Sequence, residues 1–163
     1  MTTVALCLGS NLGDRQNYLS QMELELQDIL NGSIIKSRIM ETEPVDVNRP
    51  QEWYLNRIIK ADYKGSPSDL LTQTQLIEKR LGRIDKNNRL PRTSDIDILL
   101  FGNMIIKTDV LSIPHPAILS RRFCLEGLFE IMPEHRVGID NDTVRDLYSS
   151  MSAEMRAQKV VFG

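Results

Sequence analysis

The chain has 163 residues, 41% hydrophobic and 26% charged, the composition of an ordinary soluble globular protein long enough for one sizeable core. A formal net charge of −2 and a pI near 5.7 argue against a general nucleic-acid binder, so any positive patch must be local. Two cysteines make no disulfide framework, no basic-then-apolar leader opens the chain, and no apolar run approaches a membrane span, so a cytoplasmic setting is expected.

Val4 to Leu8 reads as a buried strand ended by Gly9. From Asp14 to Asn31, Leu19, Met22, Leu26, Ile29 and Leu30 recur at helical spacing, and Gly32 suits the position after that helix. Ser33 to Met40 reads as a second strand, Thr42 to Trp53 as a Pro-broken loop, and Tyr54 to Tyr63 as a third strand. Ser66-Pro67-Ser68-Asp69 carries a cap, an early proline and a capping-box acid, opening a helix that Gly82 stops. Ile84 to Leu90 is a basic loop, and Ser94 to Phe101 is a fourth strand turned by Gly102-Asn103 into a hairpin with Met104 to Ile106. Pro114-His115-Pro116 is a loop, Arg121 to Met132 and Thr143 to Met151 are helices, and Lys159 to Phe162 is an edge strand.

The first elements thus run β-α-β-β-α-β, the order of a ferredoxin-like sheet with helices on one face. The extra hairpin and the C-terminal helices would cover the other. No linker, repeat or low-complexity segment marks a second domain, so one α+β domain over 1–163 is expected. The fold does not decide the function.

Chemistry concentrates at Pro91-Arg92-Thr93-Ser94-Asp95-Ile96-Asp97. Residues two apart in a strand share a face, so Asp95 and Asp97 point one way while Ile96 and Ile98 point the other. Two carboxylates ~6–7 Å apart repel by ~2–3 kcal/mol at an effective dielectric of about 20, and a cation between them relieves this. Hard oxygen donors suit Mg²⁺, which takes one or two carboxylates and completes its shell with water and phosphates. The plain alternative is a solvated strand start with two surface acids. No P-loop, G-x-G-x-x-G, H-E-x-x-H, C-x-x-C or G-x-S-x-G motif occurs, so a phosphate enzyme here must work with metal and arginines.

Several segments together resemble one family. They are Gly9 to Arg15, Thr42-Glu43-Pro44-Val45, Gln51 to Asn56, Ile77 to Arg83, Pro91 to Leu100, Ile113 to Pro116 and Arg121-Arg122-Phe123. In order and spacing the chain is similar to 6-hydroxymethyl-7,8-dihydropterin pyrophosphokinase, over roughly residues 4 to 135. The resemblance implies a ferredoxin-like fold and transfer of the β,γ-diphosphate of ATP to the pterin hydroxymethyl group, releasing AMP. It assigns two Mg²⁺ ions to Asp95 and Asp97, and phosphate-reaching catalytic roles to Arg83 and Arg92. Gln75, Glu78, Ile98, His115 and Arg121 match ATP-side positions. Tyr54 and Phe123 match a stacking pair for the pterin, Asn56 an edge-reading residue, and Thr42 and Val45 a loop that closes over the ring. The implied partners are ATP and the reduced pterin, with no nucleic acid, membrane or obligate protein partner.

Each position has a plainer reading. Arg83 and Arg92 could serve solubility, His115 structure, Gln75 and Glu78 a solvated helix face, and Phe123 the core. Gly9-Ser10-Asn11 reads as a tight connection with Asn11 or Asp14 as helix cap, supporting the pterin loop indirectly. The chain also departs from its apparent relatives. Leu90 stands where a glycine precedes the proline, the loop from Ile84 to Leu90 is short and has no aromatic residue, and Val110 replaces an arginine. A looser or differently timed lid is the expectation.

Overall fold

The computed structural model describes residues 1–44, 51–82 and 92–163. Its elements are β1 (Thr2–Ser10), α1 (Arg15–Ile29), β2 (Asn31–Lys36), β3 (Met40–Thr42), β4 (Tyr54–Tyr63), α2 (Pro67–Arg80) and β5 (Asp95–Phe101). After them come β6 (Ile106–Lys107), β7 (Ser112–Ile113), a 3₁₀ turn (Pro116–Leu119) and α3 (Arg122–Ile131). The chain ends in β8 (Arg136–Val137), β9 (Asp142–Thr143), α4 (Val144–Ser149), α5 (Ala153–Arg156) and β10 (Val160–Phe162).

The main sheet runs β10-β3-β4-β1-β5, with β2 also paired to β4. All these pairings are antiparallel. Treating β2 and β3 as one broken strand beside β4, with β10 added outside β3, this is the ferredoxin-like order expected from the sequence. The break has a local cause. Ser37 donates its N–H to the Ile58 carbonyl at 2.8 Å, and its Oγ accepts the Ile58 N–H at 2.9 Å. The side chain replaces a ladder carbonyl there, which divides the strand expected over Ser33 to Met40.

Local signals set the helices. Asp14 caps α1 by accepting the Asn17 N–H at 3.1 Å, while Ser66 and Asp69 close a reciprocal capping box on α2. Gly82, at φ +97°, ends α2 in the left-handed region as its sequence position suggests. Gly32 is different: it lies within β2 at φ +69°, and α1 ends at an extended Leu30.

The sheet separates two cores. On one face Leu19, Met22 and Leu26 of α1 and Leu70 and Ile77 of α2 meet Leu6, Leu8, Ile59, Ile96 and Ile98. On the other, Cys124, Leu125 and Leu128 of α3, Val144 and Met155 meet Ala5, Cys7, Ile58, Leu99 and Leu100. Each buried aliphatic side chain contributes about 1.5–3 kcal/mol. The C-terminal helices cover the second face as expected. The hairpin does not: β6 pairs with β7 rather than with β5, and Ile106 and Ile113 pack into the first core. Two-residue strands carry too little periodicity to be read in advance.

One irregularity positions the site. Leu6 pairs with Ile98 and Ala5 with Leu100, so Leu99 is a bulge without a cross-strand partner on β1. Its carbonyl instead accepts the His115 N–H at 2.9 Å. The bulge therefore ties the loop after β7 to the strand that carries Asp95 and Asp97.

Candidate active site

Strand register builds the floor of the site. On β1, Gly9 lies between Asn56 of β4 and Asp95 of β5, and Cys7 lies between Ile58 and Asp97. Strands are spaced about 4.8 Å apart, so Asn56 and Asp95 stand about 10 Å apart across a glycine. That glycine keeps the floor open. A Cβ built on Gly9 would come 2.7 Å from Asn56 Oδ1 and 3.3 Å from Tyr54 Cδ1.

Above this floor is a cavity of about 390 Å³. Thr42, Tyr54, Asn56 and Phe123, expected on the pterin side, line it together with Arg92, Asp95, Asp97, His115 and Arg121, expected on the phosphate side. Of the floor residues, the sequence assigns no role to Cys7 and reads Gly9 only as part of a tight connection. The alternation of β1 could have put both on one face, and they are the register partners of the acidic pair.

The polar groups are held in fixed orientations. Asn56 Nδ2 donates to Thr42 Oγ1 at 2.5 Å, and both residues are buried. His115 Nδ1 accepts the Ala117 N–H at 3.0 Å, so the neutral ring carries its proton on Nε2, 3.8 Å from Asp97 Oδ1. Arg92 Nη1 lies 3.3 Å from Asp95 Oδ2. The Cys7 thiol is pushed well up from its ordinary value, first by the Cys124 thiol that shares a hydrogen bond with it, then by burial and the charges of Asp97 and Asp95. It is therefore a neutral wall group at physiological pH.

The donor set fits magnesium. Two carboxylates, Asp95 and Asp97, line one wall of the cavity. Magnesium uses this arrangement, keeping positions for water and phosphate oxygens, whereas structural zinc takes four nitrogen and sulfur ligands.

Three expected nucleotide-side residues lie elsewhere. Ile98 is 3% exposed within the first core, because it alternates with the aspartates. Gln75 is exposed on α2. Glu78 is buried on α2, and its Oε2 accepts the N–H of Ile96, the residue between the two aspartates, at 2.8 Å. Its carbonyl also accepts Ser94 Oγ at 3.3 Å. Glu78 thus anchors the acidic strand from the opposite face of the sheet. Arg83, Val45 and the short loop 84–90 fall outside the described residues.

Comparison with known proteins identifies the family. The family model for 7,8-dihydro-6-hydroxymethylpterin-pyrophosphokinase matches residues 5–133. The chain belongs to this family. It is a pyrophosphokinase of folate biosynthesis, transferring a pyrophosphoryl group to hydroxymethyldihydropterin. The pyrophosphokinase is 41% identical over 127 residues to the 2-amino-4-hydroxy-6-hydroxymethyldihydropteridine pyrophosphokinase of Bacillus subtilis, covering 77% of this chain and 75% of that protein. It is 37% identical over 133 residues to the protein of the same name from Aquifex aeolicus, covering 82% of each. Its fold matches the crystal structure of Plasmodium falciparum HPPK-DHPS at TM-score 0.70 and 16% identity, covering 95% of this chain and 45% of that longer one. At that identity the likeness concerns the fold alone. No described helix of the pyrophosphokinase is long and apolar enough to cross a membrane.

Proposed function

We propose that this pyrophosphokinase is an ATP- and magnesium-dependent enzyme in which the two ends of one cavity bind the two substrates. The hydroxymethyl oxygen of the pterin attacks the β-phosphorus of ATP, the bond from that phosphorus to the AMP oxygen breaks, and AMP leaves. The observation that carries this reading is the row Asn56–Gly9–Asp95, which puts the Asn56 amide and an acidic wall on one floor.

Tyr54 and Phe123 offer aromatic surfaces for a flat heterocycle, and Asn56, fixed by Thr42, offers an amide to its edge. Asp95 and Asp97 would hold magnesium, while Glu78 keeps their strand in place from behind. When bound, magnesium neutralises triphosphate charge and makes the attacking hydroxyl more acidic. Arg92 presents a planar cation to phosphate oxygens beside Asp95, with Arg83 as the proposed second arginine. His115 turns an N–H toward the same space, and Arg121 closes that wall. Catalysis of this reaction type is mainly positioning and charge stabilisation, which such a wall supplies.

The test is incubation with ATP, magnesium and the reduced hydroxymethylpterin, with nucleotide products separated by chromatography. AMP is expected, and ADP would overturn the reading. Asp97→Ala should lower turnover by on the order of 100-fold or more while leaving the fold intact. An active Asp97→Ala enzyme would remove the metal assignment.

A further inference from the structure

We propose that Gln158 is a positioning residue that fixes the backbone of Arg121 at the cavity wall. The inference rests on the reading of Arg121 as a nucleotide contact.

Arg121 is the residue before α3, extended at φ −118° and ψ 115°, and its own side chain does not cap the helix. The direction of its side chain depends on those two dihedrals. They are set by the two peptide units on either side, which carry the Ser120 carbonyl and the Arg122 N–H. The carboxamide of Gln158 grips both: Nε2 donates to the Ser120 carbonyl at 2.8 Å, and Oε1 accepts the Arg122 N–H at 2.9 Å. One planar amide thus acts on Arg121 as a neighbouring strand would, pairing with the peptide on each side of it.

Gln158 is itself held. Its N–H donates to the Met155 carbonyl at 3.2 Å, and its own carbonyl accepts Arg122 Nη1 at 3.0 Å. Arg122 is kept in line by Glu126, whose Oε2 accepts its Nε–H at 2.8 Å. Two residues further on, β10 begins and Val160 pairs with Thr42, on the opposite wall of the cavity. The tail therefore runs as a strap from the Arg121 wall to the Thr42 wall. It lies beyond residue 133, where the family match ends.

The experiment measures affinity of the full chain for a non-hydrolysable ATP analogue with magnesium, by calorimetry. The variants are Arg121→Ala, Gln158→Met, Gln158→Glu and the Arg121→Ala/Gln158→Met pair, each with its melting temperature. Gln158→Met removes both hydrogen bonds at similar volume and should weaken binding about 10-fold. Gln158→Glu keeps the acceptor for the Arg122 N–H and should fall between. The double variant should bind no worse than Arg121→Ala, because Gln158 acts through that side chain. Losses that multiply in the double variant, or wild-type affinity in Gln158→Met beside a weakened Arg121→Ala, overturn the inference alone. Normal affinity in Arg121→Ala overturns the reading of Arg121 and the inference with it. A Gln158→Met protein that melts lower but loses affinity only when Arg121 is present still supports positioning.

Discussion

Asn11 and Arg92 hold each other in both directions: the Asn11 N–H donates to the Arg92 carbonyl at 2.9 Å, and the Arg92 N–H donates to Asn11 Oδ1 at 2.7 Å. The same side chain reaches the end proposed for the pterin, where Nδ2 donates to Gln51 Oε1 and to the Glu52 carbonyl, each at 3.0 Å. One buried amide thus ties the arginine beside the acidic pair to the segment leading into Tyr54 and Asn56. Asn11→Ala removes these side-chain bonds and leaves the Arg92 N–H without that acceptor, at a cost of about 1–3 kcal/mol. Turnover should fall by roughly 10- to 100-fold as Arg92 loses its position, measured as AMP release at saturating substrates. Wild-type turnover in a folded Asn11→Ala protein would show that the tie is dispensable.

Gly9→Ala tests the open floor. The added methyl meets Asn56 Oδ1, and Asn56 cannot swing aside without giving up its bond to Thr42. Pterin affinity should fall by roughly 10-fold, equivalent to about 1.4 kcal/mol, with the nucleotide affinity little changed. Titration with the pterin and, separately, with an ATP analogue checks both halves of this expectation.

Gly127→Ala should act on stability instead. Gly127 lets α3 lie close on the sheet, where an added Cβ would fall 2.1 Å from Ile58 Cγ1 and 2.7 Å from Ile58 Cβ. The Ile58 side chain is fully buried, so α3 must move outward or β4 must yield. Overpacking of this kind costs about 1–3 kcal/mol, visible as a lower midpoint in urea. Since Phe123 and the backbone of Arg121 belong to the same helix start, substrate binding should weaken alongside.

What was legible in the sequence was local or periodic. The alternation Asp95-Ile96-Asp97-Ile98 placed carboxylates and aliphatics on opposite faces, and Ser66 with Asp69 marked a helix start four residues long in the chain. What escaped depends on partners far apart. The bond from Arg92 to Asn11 spans 81 residues, and no window of the chain contains both ends. Ser37 breaks its strand by a hydrogen bond to β4, and a serine in a strand-like run gives no sign of that. Helix spacing put Gln75 and Glu78 together, but α2 turns Glu78 into the protein and Gln75 to solvent. The helix α5 and the β8–β9 pair are too short for periodicity to register.

The bulge at Leu99 makes β5 a strand of two phases. Before it, odd-numbered residues face the cavity; after it, Leu100 takes that face and Phe101 returns to the first core. A strand without Leu99 would keep every other residue opposite its present partner, with Asp97 and Leu100 on the cavity face and Ile98 and Phe101 in the first core. What the extra residue adds is the carbonyl that accepts the His115 N–H. Deletion of Leu99 is predicted to leave the acidic pair facing the cavity but to release the His115 loop, lowering affinity for an ATP analogue, and unchanged affinity would show that the bulge is dispensable.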